Sequence, residues 1–178
     1  MKTIRLMFVF LIAMFAASAS GAQSATDLDP GLRSALQRDA ECLKASAGDA
    51  SQLSQSGVEQ TNFWGDRQAG VIAVLRGACT CDRGNCATFV YLRSAEDYRL
   101  AFNRTLASLR PMRRGFHHGL PDLAGKMQVS DLKSETVVYE WDGSNYRAAL
   151  CATVTARPGQ KRASIVKHQC GQGPGADQ

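Results

Sequence analysis

The short signatures that announce the commoner enzyme chemistries are missing from this chain. It has no Gly-x-Ser-x-Gly elbow to present a strained serine nucleophile. His-Glu-x-x-His and a glycine-rich phosphate loop are absent as well. Without a Cys-x-x-Cys pair, a thioredoxin-like role lacks its dithiol. No internal repeat of solenoid type recurs. No aromatics are interleaved with the basic residues, which argues against nucleic acid as a partner. Beyond residue 22 no apolar run reaches the roughly 20 residues that a membrane-spanning helix needs.

What is present begins with an export signature. Lys2 and Arg5 form a short basic start, Leu6 to Ala17 is unbroken apolar sequence, and small residues follow through Ala22. That pattern predicts a secretory signal over residues 1–22, cleaved before Gln23. No cysteine stands at the cut, so a lipid anchor is not expected. The leader holds two of the 21 basic residues and none of the 16 acidic ones, which leaves a mature side-chain balance of +3. This mild excess falls short of the charge density of a dedicated nucleic-acid binder. The expectation is a periplasmic or secreted protein that does not span the membrane.

All six cysteines, Cys42, Cys79, Cys81, Cys86, Cys151 and Cys170, lie beyond the leader. An even count in an oxidising compartment reads as disulfides rather than as a zinc or redox cluster. Cys81 and Cys86 flank Asp82-Arg83-Gly84-Asn85, a turn-forming tetrapeptide, so a bridge closing a hairpin is expected there, with Cys79 able to replace Cys81. Longer bridges would join Cys42, Cys151 and Cys170 to one another or to the leftover hairpin cysteine.

Asp29-Pro30 opens a predicted helix with a capping carboxylate and a proline in its first turn. Leu32, Leu36, Ala40 and Leu43 carry the helical period to about Ala47. Ser46 to Ser56 reads as a linker. Val71 to Leu75 is a continuous apolar run, as in a strand buried on both faces, and Ala87 to Leu92 is a second strand. From Asp97 to Phe102 the pattern alternates, with Tyr98, Leu100 and Phe102 on one side. Val137, Tyr139 and Trp141 share a face, Asp142-Gly143 turns the chain, and Tyr146, Ala148, Leu150 and Ala152 resume the alternation with Cys151 opposite. The predicted organisation is a signal peptide (1–22), a helix and linker (23–57), a β-rich domain (58–170) and a disordered tail (171–178). The fold class is mainly β with α+β character at the N-terminus: an antiparallel β-sandwich or incomplete barrel, preceded by one helix and stabilised by two or three disulfides.

Four pieces, in this order, carry a resemblance. Trp64-Gly65-Asp66-Arg67 precedes the apolar strand Val71 to Leu75, and the hairpin Cys81 to Cys86 follows. Gly119-Leu120-Pro121-Asp122-Leu123 comes next, then the Tyr-x-Trp-Asp-Gly hairpin from Tyr139 to Tyr146. Over Val58 to Val154 the chain resembles small exported bacterial proteins related to FG-GAP/VCBS-type β-repeat domains. The resemblance implies a β-rich fold and, by way of similar exported sandwiches, inhibition of cell-wall hydrolases or immunity against them. Repeats of this kind often carry a calcium loop of several carboxylates. Between Asn62 and Asp66 only Asp66 remains, so calcium is not expected.

The best candidate binding feature is a basic loop carrying Arg110, Arg113, Arg114, His117 and His118. Guanidinium forks suit carboxylate and phosphate groups, and the histidines add positive charge as pH falls toward ~6. Adjacent histidines in extended chain point to opposite faces, so a zinc site built on the pair, with His168 or a cysteine, is not expected. A catalytic arrangement would involve His117 or His118 with Asp122, whose simpler role is to cap a turn before Leu123. Trp64 and Phe63 are candidate partner-facing anchors, whereas the alternation places Trp141 in the core. The resulting expectation is a non-enzymatic exported binding protein with no cofactor and no metal, with a periplasmic hydrolase or a structural envelope component that binds anionic glycan or lipid as the alternatives. Its partner would be a cell-envelope protein or an anionic envelope polymer.

Overall fold

The computed structural model describes residues 28–40, 57–66, 68–77, 80–95, 97–159 and 162–171. The expected leader and linker, the tail beyond Gly171, and Cys42 and Cys79 lie outside these residues. Helix α1 (Pro30–Asp39) is followed by β1 (Gly57–Trp64), β2 (Ala69–Arg76), the two-residue β3 (Cys81–Asp82), β4 (Asn85–Arg93) and β5 (Tyr98–Leu106). A second series follows: β6 (Ser108–His117), β7 (Leu120–Ser130), β8 (Lys133–Trp141), β9 (Tyr146–Thr155) and β10 (Ser164–His168). The first five strands form one antiparallel sheet, in which β2 joins β1 to β4, and β4 also pairs with β3 and β5. The second sheet runs β10-β9-β8-β7-β6. Ala107 alone separates β5 in the first sheet from β6 in the second. The architecture is therefore an open sandwich rather than a closed barrel.

Helix α1 starts as expected. The Asp29 carboxylate accepts from the Gly31 and Leu32 N–H groups, which have no partner inside the helix, and Pro30 occupies the first turn. It ends sooner than its apolar period suggested. Ala40 is already extended and buried, its N–H closing the last turn on the Leu36 carbonyl.

Two hydrophobic clusters flank the first sheet. Leu32, Ala35 and Leu36 of α1 pack on Val58, Val71, Ala73, Leu75, Phe89 and Tyr91. Ile72, Val74, Val90, Leu92 and Phe102 face the second sheet, against Leu109, Leu123, Val137, Tyr139 and Trp141. This explains the unbroken apolar run of β2, because alternate residues serve different cores. Tyr91 fastens the helix, its hydroxyl donating to the Ala35 carbonyl at 3.3 Å. Burial pushes the ionisation of that hydroxyl well above the ordinary tyrosine range.

Strands β8 and β9 form the expected hairpin, with the Asp142 carboxylate accepting from the Ser144 and Asn145 N–H groups across the turn. Val137, Tyr139 and Trp141 are buried on one face as predicted. In two places an irregularity overturns the expected alternation. Between β4 and β5 the register passes from Val90–Phe102 to Tyr91–Leu100, so Ala101 is an extra residue. Tyr98 and Leu100 consequently face the helix, while Phe102 faces the other sheet. Between β8 and β9 the pairs Val138–Leu150 and Tyr139–Ala148 leave Ala149 extra. Tyr146 and Cys151 thus share the inter-sheet core, and Leu150 is turned out to solvent. A bulge of this kind reverses the faces of everything beyond it.

The hairpin disulfide is Cys81–Cys86, as expected, not Cys79–Cys86. Cys151 bridges to Cys170, just past β10. This pairing resolves one of the alternatives for the longer bridges.

Candidate functional site

The basic segment is not a loop. Arg110 to His117 belongs to β6, an edge strand of the second sheet. Its irregular character comes from a wide bulge. Pro111 pairs with Leu123 and Phe116 pairs with Pro121, so Met112 to Gly115 oppose Asp122 alone. Gly115 makes the excursion possible. Its φ is +97°, in the left-handed region that favours glycine, and a β-carbon there would lie 2.3 Å from Asp122 Oδ2. The bulge therefore folds down over the Asp122 carboxylate, which is buried although its strand faces solvent on that side.

Asp122 sits inside β7, not at a turn before it, and it pairs with His117 rather than with the neighbouring His118. His117 Nδ1 stands 2.7 Å from Asp122 Oδ1, and Nε2 stands 3.8 Å from Glu140 Oε2. Leu123 pairs with Tyr139, so Asp122 and Glu140 are offset by one residue to the same side and share the outer face of the sheet. The Asp122 side chain is 7% exposed, whereas those of His117 and Glu140 are each 44% exposed. The hydrogen bond to Asp122, reinforced by the charges of Asp122 and Glu140, raises the His117 ring above its ordinary pKa. Behind the site, the buried Tyr146 hydroxyl donates to the Pro121 carbonyl at 3.0 Å and fixes the backbone just before Asp122.

His118 takes a different course. With φ at +48° it turns the β6–β7 hairpin and lines an open cavity of about 400 Å³ with Asp66, Gln68, Gly119, Leu120 and Trp141. The two sheets meet here, as the Asp66 N–H donates to the Gly119 carbonyl at 2.7 Å. A β-carbon on Gly65 would come 2.2 Å from the same carbonyl oxygen, so the hairpin tips touch backbone to backbone. Trp64, next along β1, is 75% exposed, while Phe63 and Trp141 are buried. Of the candidate anchors only Trp64 faces solvent; Phe116 of the bulged strand, which was not among them, is exposed as well.

Arg110, Arg113 and Arg114 are exposed and make no ion pair among the described residues. His168, far along the chain on β10, hydrogen-bonds with Thr153 at 3.2 Å and stands 3.8 Å from Glu135, away from the His117 cluster. Sequence reasoning did not single out Gly115 or Glu140. Glu140 lies on the solvent side of the Tyr139–Trp141 alternation, but only the β7–β8 register shows that it stands beside Asp122.

The arrangement offers two kinds of chemistry. One is a row of exposed guanidinium groups on an edge strand, without an ion pair among the described residues. The other is an imidazole whose Nδ1 is held by a buried carboxylate while Nε2 faces outward to a second one. Compared with family models, with curated proteins and with solved structures, the chain matches none.

Proposed function

We propose that this is a non-enzymatic exported binding protein of the bacterial periplasm that grips an acidic partner through the bulged edge strand β6. The observation that carries the reading is the set of exposed guanidinium groups of Arg110, Arg113 and Arg114, without an ion pair among the described residues. Such forks suit carboxylates and phosphates, and Lys would not replace them geometrically. The same bulge, with Pro111 and the charges, also keeps β6 from pairing with a further strand. Pairing with β7 orders the backbone of β6 before a partner arrives, so docking need order only the arginine side chains. The concrete form is an inhibitor or immunity-type partner of a cell-envelope enzyme with an acidic cleft. This form follows the resemblance to exported β-sandwiches.

The test is capture from envelope extract by the oxidised mature protein, with Arg113→Glu/Arg114→Glu as control. A stoichiometric protein partner that disappears with the charge reversal supports the reading. Recovery of only glycan or lipid, or nothing beyond the control, removes the inhibitor form.

One observation favours a second reading. The 2.7 Å contact between His117 and Asp122 is the orienting half of a catalytic pair in a hydrolase. Replacing His117 and His118 together by Ala separates the two, since a hydrolase loses all turnover and a binder loses at most part of its affinity.

A further inference from the structure

The outer face of the second sheet brings together three groups that lie far apart in sequence, His117, Asp122 and Glu140. One potential ligand atom from each lies within 4.8 Å of the others. We propose that His117 Nε2 and the Glu140 carboxylate form a surface site for a divalent transition-metal ion of the zinc class, with Asp122 acting as the carboxylate that orients the histidine.

The roles follow from the distances. Asp122 Oδ1 is 2.7 Å from Nδ1, which places the proton of neutral imidazole between them and leaves the Nε2 lone pair free. A ligating histidine commonly donates its other N–H to a carboxylate in this way, which fixes the tautomer and makes the ligand nitrogen more basic. Nε2 and Glu140 Oε2 are 3.8 Å apart. Ligands to tetrahedral zinc, with bonds of about 2.1 Å, stand about 3.4 Å from each other, so a small rotation of two half-exposed side chains closes the site.

Asp122 cannot relax away from this role. It is buried beneath the bulge, with Gly115 against it and the Tyr146 hydroxyl anchoring the preceding carbonyl. The β6 bulge thus has a structural consequence at this site. By setting Met112 to Gly115 against Asp122 alone, it carries His117 back over the outer face. An imidazole nitrogen paired with one carboxylate suits zinc, copper or nickel, whereas calcium requires a cage of oxygens. Two protein ligands leave the remaining positions of a tetrahedral ion to water. His118 points into the other cavity and takes no part. This inference uses none of the arginines, so it stands or falls apart from the reading of β6 as an anion-binding strand.

The experiment is titration of the chelator-stripped, oxidised mature protein with Zn2+, followed by calorimetry and by NMR spectra that resolve the three histidine rings. The expected result is one saturable site of micromolar affinity that perturbs His117 and leaves His168 unmoved. Glu140→Gln, a change at a half-exposed side chain, should weaken binding at least about tenfold, and His117→Gln should abolish it. Asp122→Asn should weaken it by about 10- to 100-fold while the His117 ring remains the site of perturbation. The proposal is overturned if no saturable binding appears below millimolar zinc, if Glu140→Gln binds as wild type does, or if His168→Gln rather than His117→Gln removes the site.

Discussion

The two sheets use similar strands for different ends. The first is covered twice, by α1 on one face and by the second sheet on the other, and the central residues of β2 and β4 are buried almost without interruption. The second sheet contributes one face to the sandwich core and leaves the other to solvent, where Leu150 and Ile165 stand exposed. Buried strands tolerate no charge, so the polar chemistry of this molecule gathers where the covering ends. The His117 cluster lies on the uncovered face of the second sheet, beside the bulge of its edge strand. Both sheets share the core between them, and the second alone leaves a face open, where the His117 cluster stands.

That contrast breaks most sharply through paired truncations. Leu36 of α1 is fully buried against the first sheet, and Leu36→Ala should cost about 2–5 kcal/mol. Leu150→Ala, on the open face of the second sheet, should change stability by no more than about 0.5 kcal/mol. Chemical denaturation under oxidising conditions measures both, and equal costs would sink the comparison. The disulfides come next in size. The Cys151–Cys170 bridge spans 19 residues and the Cys81–Cys86 bridge spans five. In the chain-entropy model, removing the first by a double Cys→Ala change should cost about 3 kcal/mol and removing the second about 2 kcal/mol. The reverse order would mean that native-state contacts around the hairpin outweigh loop closure.

The parts of the fold set by local chemistry were readable from sequence. The Asp29-Pro30 start of α1, the doubly buried β2, the inward face of β8 and the Cys81–Cys86 hairpin each follow from a cap, a period or a turn spanning a few residues. The parts that escaped depend on pairing partners. The extra residues in β5 and β9 are both alanines, Ala101 and Ala149, which no turn chemistry or hydropathy distinguishes from ordinary strand residues. Each one reversed the faces assigned beyond it. The basic segment read as a loop for a related reason: Pro111, Gly115 and its charges spoil the alternation, yet it is still strand where β7 pairs with it. Of the candidate site, Asp122 and the two histidines were visible as residues. Which histidine Asp122 would meet, and the presence of Glu140 beside it, are properties of cross-strand register.

Gly115 tests whether the bulge serves the site or merely ends the strand pairing. Gly115→Ala meets both a left-handed φ and the Asp122 carboxylate, and should destabilise by about 1–3 kcal/mol. If the bulge holds the pair together, the same variant should also loosen the contact between His117 and Asp122, seen as a lower titration midpoint of the His117 ring. Loss of stability with an unchanged midpoint would show that the bulge is only an edge device.

The smallest effect is the most specific to the open sheet. The His117 ring should titrate above the ordinary histidine value of about 6.5, because its hydrogen bond to Asp122 and the nearby charge of Glu140 favour the protonated form. A folded-state value above the unfolded one means that the folded chain holds its proton more tightly. The stabilisation is therefore complete below pH about 6.5 and is lost as pH rises through the folded-state midpoint. The difference in stability between wild type and His117→Gln should shrink over that window. Asp122→Asn should bring the midpoint back toward the ordinary value, since it removes the largest of the causes. A His117 midpoint that ignores Asp122→Asn would mean that the ring and the buried carboxylate do not meet in solution, and the proposal of a role for the open sheet would then rest on the arginines of β6 alone.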